Sequence, residues 1–451
     1  MKRSKGKNKI RIGGGAGFSG DRVDSAVELA AKSELDYIVL ECLAERTVAL
    51  GNMIKIREPG KGYSETLSAR IRTLLPVCLP KGVRIISNMG SANPLAAGKR
   101  TYEIARELGF PEMQVAVVLG DDVLDIIKNK PELILLESGK TLESILPRII
   151  SANAYMGADA IVPALETGQA VVLTGRVADP SLFLAPMIHE FNWSYNDYKL
   201  LAQGTLAGHL LECAGQLTGG YFADPGKKNV PGLARLGFPY ADVTKDGKVT
   251  LGKTPETGGK LDVMTCKEQL LYEIHDPSRY ITPDCVLDVT DVNFKQEAKD
   301  SVHAFGARAL ARTDSYKVSV GYMDGYMGEG QISYGGPNAV ARARLAGEIV
   351  IERLKIRKFD YLEIHKDFIG MDSLHGKTST LSEPYEVRLR LAAKCRDKMA
   401  ANAVGEEVEA LLTNGPAGGG GFFRQTKELV AIQSVLLPRY LIKQTIHTIG
   451  K

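Results

Sequence analysis

KIRIGGGAGFSGDRVDSAVELAAKSELDYIVLE, residues 9–41, decides the fold class of this chain. An apolar strand at 9–13 leads into a glycine loop at 14–20 and then into a helix at 21–32 whose apolar residues recur at helical spacing. Residues 37–41 form a second apolar strand. A strand, a glycine turn, a helix and a strand make a βαβ unit, so the sequence predicts that the two strands pair in parallel.

The same alternation continues beyond this unit. Further apolar strands are predicted at 83–87, 114–119 and 170–173, and residues 142–156 are predicted to form a helix. Strands that alternate with helices in this way are typical of a sheet covered on both faces. We therefore expect the α/β class, with a mostly parallel sheet flanked by helices.

The pattern changes after residue 230. The segments beyond it read as more exposed strands mixed with helices, including a predicted helix at 385–399. The predicted organisation is a basic tail at 1–9, an α/β domain at 10–230 that holds a glycine-rich loop and the site, and a second, α+β domain at 231–451 that ends in another glycine-rich loop.

The composition excludes several classes of protein. A formal net charge of +4 over 451 residues is too small for a dedicated nucleic-acid binder. No apolar run approaches the roughly 20 residues that a membrane helix needs. The six cysteines form no C-x-x-C pair, so neither a zinc nor an iron–sulfur site is predicted. We expect a cytoplasmic homo-oligomer that binds a small-molecule substrate, with no nucleic-acid or membrane partner and no metal.

The first glycine loop matches G-x-G-x-x-G, a pattern that binds dinucleotides when it joins a strand to a helix. Glu41, at the end of the next strand, stands where an acid would hold the ribose. Asp21 argues against this, because a carboxylate at the helix start competes with a pyrophosphate for the same amides. A tight turn that admits a smaller anion is the alternative. The candidate binding residues here are Gly15, Gly17, Ser19, Gly20 and Glu41.

Polar residues also follow the other predicted strands, at the sheet edge where α/β proteins bind ligands. They are Glu41 or Glu45 with Arg46, then Asn88 and Asn93, and finally Arg176 and Asp179. Arg176 would hold a carboxylate or phosphate through its planar guanidinium, and Asn88 would polarise a carbonyl group. The structural alternatives are a surface ion pair at Arg46, a helix cap at Asn93 and an internal Arg176–Asp179 pair.

A helix predicted at residues 202–217 places His209, Glu212, Cys213 and Gln216 on one face. As an acid/base site, Glu212 would orient His209. As a nucleophilic site, Cys213 would attack with His209 as its base. As a metal site, His209, Glu212 and Cys213 would be ligands, but a fourth ligand is not evident. The structural alternative is a polar seam between packed helices. We take His209, Glu212 and Cys213 as the candidate catalytic residues.

The second glycine-rich loop, residues 415–421, has three interpretations. Consecutive free amides would form an anion-binding nest. The loop would otherwise be a mobile lid, or a tight turn between structural elements.

Taken together, these motifs resemble the acyclic terpene utilisation (AtuA-like) family of bacterial proteins. The resemblance extends in order along nearly the whole chain. It rests on residues 15–22, 43–47, 88–90 with 92–94, 174–179, 208–213, 218–222, 267–273 and 415–421. It implies a cytoplasmic catabolic protein of acyclic terpenoid or branched-acid breakdown, in which substrates are carried as coenzyme A thioesters. It implies no settled reaction and no catalytic residues.

The expected function is therefore acid/base chemistry, of the hydratase or lyase kind, on a carboxylic acid or its coenzyme A thioester. The sequence requires no cofactor. Two alternatives remain open at this point: an NAD(P)-dependent oxidoreductase that uses residues 15–20, and a non-catalytic subunit of an acyl-CoA pathway complex. The acid/base hypothesis requires Arg176 and His209 to share one cavity.

Overall fold

A ten-stranded sheet dominates the computed structural model of this protein, which describes residues 7–376 and 384–450. The strands are β1 (Lys9–Ala16), β2 (Tyr37–Leu40), β3 (Arg84–Ser87), β4 (Val115–Leu119), β5 (Ile149–Ala154), β6 (Val171–Thr174), β7 (Pro239–Thr244), β8 (Val249–Lys253), β9 (Tyr280–Ile281), β10 (Val286–Asp288), β11 (Asn293–Ala298), β12 (Ser301–Phe305), β13 (Arg308–Leu310), β14 (Ser315–Gly335), β15 (Tyr361–Ile369), β16 (Glu386–Cys395), β17 (Gly420–Pro438) and β18 (Thr445–Ile449). The helices are α1 (Val23–Lys32), α2 (Glu45–Arg57), α3 (Leu67–Lys81), α4 (Pro94–Glu107), α5 (Leu124–Lys128), α6 (Ala158–Glu166), α7 (Asp179–Phe191), α8 (Tyr198–Leu211), α9 (Val263–Leu270), α10 (Ala339–Ile356), α11 (Lys398–Glu409) and α12 (Leu411–Asn414).

The centre of the large sheet is parallel. Its strand order is β11-β12-β8-β7-β1-β2-β3-β6-β4-β18. Neighbours from β1 to β4 in this order pair in parallel, which confirms the prediction made from residues 9–41. The outer strands β7, β8, β12, β11 and β18 pair antiparallel. The sheet is therefore mixed, with a parallel core.

Hydrophobic cores cover both faces of this sheet. In β2, Tyr37 and Val39 point into one core, while Ile38 and Leu40 point into the other. Helices α6, α7 and α8 contribute to the first core, and α1, α3 and α4 contribute to the second. Because both faces are buried, the central strands β2, β4 and β6 are almost wholly apolar instead of alternating with polar residues. The predicted α/β class with flanking helices is confirmed.

The chain divides into two compact units. The first comprises Met1–Gly321 with Ile432–Lys451, and the second comprises Tyr322–Ala431. The boundary predicted at residue 230 lies inside the first unit, because β7 and β8 extend the sheet that β1 begins. In the second unit, α10 and α11 share a core with a sheet of order β15-β16-β14-β17, which is an α+β arrangement.

Two segments that the sequence predicts to be helices contain strands in the structure. Residues 142–156 form two short 3₁₀ turns, Leu142–Ser144 and Leu146–Arg148, followed by β5. Most of residues 385–399 form β16, which pairs with both β14 and β15. In each segment long-range strand pairing has overridden the local preference for helix.

The glycine-rich loop at 415–421 leads directly into β17 and is held by a cation. Arg342 Nη1 donates to the carbonyl oxygen of Ala417 at 2.6 Å, and its Nη2 donates to that of Gly335 at 2.6 Å. Gly418 and Gly421 have φ angles of +73° and +61°, which favour glycine. The loop thus presents one carbonyl oxygen, that of Ala417, to a guanidinium that also binds the end of β14.

Strand β1 makes a close approach that needs glycine. A Cβ atom on Gly14 would lie 2.6 Å from the carbonyl oxygen of Leu211, at the end of α8. Gly17, just after β1, would place a Cβ 2.6 Å from the carbonyl carbon of Cys213. The glycines therefore let the backbone of β1 touch the backbone of the turn that follows α8.

We expect Gly14→Ala to lower the free energy of unfolding by about 1–3 kcal/mol, because its methyl group would collide with backbone that cannot rotate away. Urea denaturation followed by circular dichroism would measure the loss. Gly60→Ala is the matched control, since a Cβ at Gly60 would meet nothing within 4 Å. Equal stabilities for the two variants would contradict this account of β1.

Candidate active site

A cavity of about 640 Å³ lies in the first unit at the carboxyl ends of the parallel strands. Segments that follow β1, β2 and β6 line it, as does the turn after α8. This is the edge at which open α/β sheets bind ligands. Of the candidate residues, the structure brings these together around the cavity: Gly17, Ser19, Glu41, Arg176, Asp179, Glu212 and Cys213.

Arg176 lines this cavity and is almost fully buried. Its Nη1 donates to the carbonyl oxygen of Leu43, and its Nη2 donates to Asp179 Oδ1 at 3.1 Å. Its guanidinium carbon lies 4.0 Å from the centroid of the Tyr155 ring. Each terminal nitrogen thus makes one internal hydrogen bond, which holds the wall together, while Nε is buried without a hydrogen-bond partner among the described residues.

Burial governs the ionisation of the two carboxyl groups beside Arg176. Burial is the largest cause of a pKa for Glu41 that lies well above its ordinary value, and the charge of Asp179 raises that pKa further. Burial also raises the pKa of Asp179, against the opposing charge of Arg176. For Arg176 itself burial would lower the pKa, but the surrounding negative charges outweigh it and the pKa is raised. The arrangement is a fixed cation beside two carboxyl groups that bind protons tightly.

Asn88 lies behind Glu41 and does not line the cavity described here. Its Nδ2 donates to Glu41 Oε1 at 3.0 Å, and its Oδ1 accepts from the backbone N–H of Cys42 at 2.7 Å. The backbone N–H of Leu43 also donates to Glu41 Oε1, at 2.8 Å. Asn88 therefore orients Glu41, and the role predicted for it, polarising a substrate carbonyl, does not fit its position.

His209 and Glu212 form a buried pair of which only Glu212 is among the cavity-lining residues. Arg176 and His209 therefore do not share the described cavity, so the acid/base mechanism expected for His209 does not hold as stated, and Glu212 is the member of the pair that reaches the cavity. His209 Nε2 lies 3.0 Å from the carbonyl oxygen of Leu270, and its Nδ1 lies 2.8 Å from Glu212 Oε1. A carbonyl oxygen can only accept, so Nε2 carries a hydrogen. The proton between Nδ1 and Oε1 then belongs either to the imidazole or to the carboxyl group.

The ionisation of this pair follows from its burial. Burial raises the pKa of Glu212 to about 7, although the charge and the hydrogen bond of His209 act to lower it. For His209 burial acts to lower the pKa, but Glu212 outweighs it and the pKa is raised. The second oxygen of Glu212, Oε2, is buried without a hydrogen-bond partner among the described residues. Glu212 is thus a carboxyl group that can carry a proton at neutral pH.

The predicted single helix face from His209 to Gln216 is wrong. Helix α8 ends at Leu211, and a 3₁₀ turn at Ala214–Gln216 follows it. Ala214 has a φ of +43°, in the left-handed region where an α-helix cannot continue. Helical spacing still brings His209 and Glu212 into contact at i, i+3, as predicted, whereas Cys213 and Gln216 lie beyond the last residue of α8.

Cys213 lines the cavity, but its thiol is in an environment that suppresses ionisation. Burial, followed by the charge of Glu212, raises its pKa well above the ordinary value. A nucleophilic cysteine requires the opposite, a lowered pKa that supplies thiolate at neutral pH. His209, the proposed base for Cys213, is bound through both ring nitrogens to other groups. The nucleophilic alternative therefore has little support in this geometry.

The first glycine loop packs against protein at Gly15 and Gly20, whereas Gly17, Phe18 and Ser19 line the cavity. Asp21 Oδ2 accepts from the backbone N–H of Gly17 at 2.9 Å, so the chain's own carboxylate occupies an amide that a pyrophosphate would need. A Cβ on Gly15 would collide with the side chains of Ile38 and Leu40, and one on Gly20 would meet Phe18. The glycines serve close packing here, and Gly15 and Gly20 do not line the cavity described.

Two further candidates lie away from the cavity lining. Arg46 is exposed near the start of α2. Asn93 caps α4, since its Oδ1 accepts from the backbone N–H of Ala96 at 3.4 Å, while its Nδ2 donates to the carbonyl oxygens of Pro59 and Lys61. The contacts of Asn93 are therefore those of a helix cap, which was the structural alternative to a binding role.

Several cavity-lining residues were not among the candidates: Tyr155, Tyr272, Glu273, Tyr280 and Lys317. Tyr155 and Lys317 come together because the backbone N–H of Tyr155 donates to the carbonyl oxygen of Lys317 at 2.9 Å. Both then bind Glu45 Oε1, from the tyrosine hydroxyl at 2.7 Å and the ammonium at 2.8 Å. Nothing local in the sequence signals a contact between segments so far apart. Glu273, by contrast, ends one of the segments that carry the family resemblance.

Two general features of the described part of the chain bear on the site. Residues 7–376 and 384–450 contain no cluster of three or more His, Cys, Asp or Glu side chains arranged to hold a metal ion. Within the same ranges, no helix combines the length and the apolar character needed to cross a bilayer.

We expect the cysteines of the native protein to react slowly with iodoacetamide at pH 7, because burial raises the pKa of each thiol. Mass spectrometry of peptides would follow alkylation at Cys213 in particular. Protein unfolded in urea is the control and should react rapidly. Fast, selective alkylation of Cys213 in the native protein would restore the nucleophilic hypothesis.

Comparison with known proteins identifies the family to which the site belongs. The family model described as acyclic terpene utilisation family protein AtuA matches residues 10–448, which is nearly the whole chain. Searches of curated proteins and of solved structures gave no match. The family is implicated in acyclic terpene utilisation, a catabolic role. The resemblance found in the sequence motifs is thereby confirmed, and this chain belongs to the acyclic terpene utilisation family, AtuA.

Proposed function

We propose that this protein is a catabolic enzyme that acts on a branched carboxylic acid, or on its coenzyme A thioester, by acid/base chemistry of the hydratase or lyase kind. Its membership of the acyclic terpene utilisation family supports this class of substrate. The cavity volume of about 640 Å³ suits a small organic molecule. Its aromatic lining, Phe18 with Tyr155, Tyr272, Tyr280 and Tyr316, suits a hydrocarbon chain.

The position of Glu212 carries the proposal. It lines the cavity, it is held by His209, and burial raises its pKa to about 7. A general acid or base works best when its pKa lies close to the operating pH, because both protonation states are then populated. Perturbed carboxyl groups inside a cleft are a common property of active sites. Glu212 is the proton-transferring residue in this proposal.

The other residues act through position. His209 orients Glu212 and exchanges a proton with it, so the roles first expected for the two residues are reversed. Arg176 stabilises the wall through Asp179 and Leu43, and Asn88 holds Glu41. Glu41 and Asp179 are further carboxyl groups of the cavity whose raised pKa values let them hold protons.

The dinucleotide alternative is disfavoured by the glycine loop. Asp21 accepts a hydrogen bond from the Gly17 amide. The space beside Gly15 and Gly20 is occupied by side chains of the protein itself. Glu41, the residue expected to bind a ribose, accepts two hydrogen bonds from protein groups on one oxygen. A nicotinamide cofactor would have to displace these contacts before it could bind.

We expect Glu212→Gln to lower turnover by about 10²–10⁴-fold, because the amide cannot donate or accept the transferred proton. The variant should still fold, since its amide N–H can donate to His209 Nδ1. The assay would screen branched acids and their coenzyme A thioesters and detect the gain or loss of water by mass spectrometry. Glu103→Gln, on the exposed side of α4, is the matched control.

Full activity of Glu212→Gln would contradict the role given to Glu212. If the wild-type protein turned over none of these substrates alone but co-purified with a carboxylase or hydratase, the non-catalytic subunit hypothesis would replace this proposal.

A pH profile would test His209. If Glu212 donates the proton, turnover should be full below about pH 7 and fall above it, as the carboxyl group with a pKa of about 7 ionises. The positive charge of His209 lowers that pKa, whereas Asp179 and Glu273 raise it. Replacing His209 with glutamine removes the lowering effect, so the fall in turnover should move to higher pH. An unmoved profile would mean that His209 has only a structural role.

A further inference from the structure

The second glycine-rich loop, residues 415–421, has no part in the proposed function. It lies in the second unit, where three segments meet. Arg342, in the first turn of α10, donates to the carbonyl oxygen of Ala417 in this loop and to that of Gly335, the last residue of β14. The loop, the end of β14 and the start of α10 are therefore in contact through one guanidinium.

The start of α10 carries positive charge that no side chain neutralises. This helix has 18 residues, its first turn contains no acidic residue, and Asn338 at the N-cap position makes no side-chain capping bond. The backbone N–H groups of Val340 and Ala341 have no acceptor among the described residues. Unpaired amides at the start of a helix carry a partial positive charge and point toward a ligand that would accept from them.

Two guanidinium groups on α10 add full positive charges beside the loop. Arg342 donates only to backbone carbonyl oxygens. Arg353 Nη2 donates to the carbonyl oxygen of Asn414 at 2.8 Å, and its Nη1 is buried without a partner among the described residues. Within residues 7–376 and 384–450, neither guanidinium forms an ion pair with a carboxylate. The local charge is therefore uncompensated.

The acid on the neighbouring strand does not supply the missing negative charge. Glu386 lies opposite Gly335 in the ladder between β14 and β16, and Val387 lies opposite Tyr334. Val387 and Tyr334 both belong to the core that α10 covers. Because successive side chains of a strand point to opposite faces, Glu386 projects from the other face of the sheet.

A buried hydroxyl group at the same place also has no partner. Tyr334 is fully buried, and its Oη makes no hydrogen bond with any described residue. A Cβ atom on Gly419 would lie 3.2 Å from this oxygen, so the hydroxyl lies against the loop. Arg342 is the neighbour of the ring, with its guanidinium carbon 5.9 Å from the ring centroid. A buried hydroxyl without a partner costs free energy that a bound acceptor would recover.

The unpaired groups of this region are all able to donate hydrogen bonds. We call Tyr334, residues 339–342 of α10 and loop residues 417–419 the α10 corner. In the loop, the backbone N–H groups of Ala417 and Gly418 have no acceptor among the described residues. Amides, a phenol and guanidinium groups that converge from a helix and a loop match an anion with several acceptor oxygens.

We propose that the α10 corner binds a phosphoryl group, either as free phosphate or as part of a larger molecule. Phosphate is favoured over a carboxylate because its oxygens point in several directions and its double charge suits a site with uncompensated cations. This inference does not depend on the proposed function, because every residue that carries it belongs to the second unit.

Titration calorimetry of the full chain with inorganic phosphate tests the α10 corner directly. At low ionic strength we expect a Kd of about 1 mM or tighter. Added potassium chloride should weaken the binding, because salt screens the charges. No binding of phosphate at about ten times that concentration would overturn the inference.

Adenosine 5′-monophosphate and adenosine distinguish the two sources of the phosphoryl group. If the monophosphate binds about ten-fold more tightly than inorganic phosphate, the ligand is a larger phosphorylated molecule. If the two bind equally, the site holds the free anion, and both results support the inference. Adenosine lacks the phosphoryl group and is the control. Equal affinities for adenosine and its monophosphate would overturn the inference.

Tyr334→Phe locates the site, because it removes only the hydroxyl group. Phosphate binding should weaken about ten-fold, since a hydrogen bond to a charged group is lost. In phosphate-free buffer the Tm of this variant should equal or exceed that of the wild-type chain, because the hydroxyl it lacks was unpaired. Unchanged phosphate affinity would overturn the assignment to the α10 corner, whatever the Tm.

Tyr361→Phe is the matched control. Tyr361 Oη is also buried without a partner among the described residues, but Tyr361 pairs with Cys395, at the opposite end of β16 from the α10 corner. Its phosphate affinity should equal that of the wild-type chain. Arg342→Met should weaken phosphate binding at least about ten-fold, because it removes a full charge. If Arg342→Met fails to fold, Tyr334→Phe still decides the question.

Discussion

Backbone contact between β1 and the turn after α8 is the constraint on which the site depends. Gly14 and Gly17 have no side chains, so the strand can approach Leu211 and Cys213 to a distance that any Cβ would prevent. Glu212 and Cys213, which follow the last residue of α8, line the cavity, and the left-handed Ala214 comes immediately after them. A motif that resembles a nucleotide-binding loop thus serves to bring a carboxyl group to the rim of the parallel sheet.

Burial of like charges gives this cavity its chemical character. Carboxyl groups removed from water bind protons more tightly, and adjacent carboxyl groups reinforce the effect. Arg176, buried against Tyr155, offsets part of the cost by pairing with Asp179. His209 offers a similar compensation to Glu212, and the proton between them belongs either to the imidazole or to the carboxyl group, so the pair can exchange it. The cavity therefore combines a buried guanidinium that is hydrogen-bonded to Asp179 with a carboxyl group that can change its charge at neutral pH.

Local patterns failed where distant strands decided the outcome. Residues 385–399 contain many good helix formers, yet alternate residues of β16, Val387, Leu389, Leu391, Ala393 and Cys395, are buried. That two-residue period is the property of a strand with one face on a core, and pairing with β14 and β15 fixes it. The helix predicted over 142–156 failed similarly, because β5 pairs with β14 far along the chain.

The sequence by itself determined the α/β class, the parallel core and the family, because apolar runs, glycine turns and ordered motifs are local or sequential signals. It also brought attention to Glu41, Asp179, Glu212 and Cys213, which follow strands or a helix end at the cavity. Only the tertiary structure decided which polar groups face that cavity and which are consumed by internal contacts, as Arg176, Asn88 and His209 are. The physical reason is that a side chain's role depends on its partners, and these partners, Leu43, Glu41 and Leu270, are brought to it only by folding.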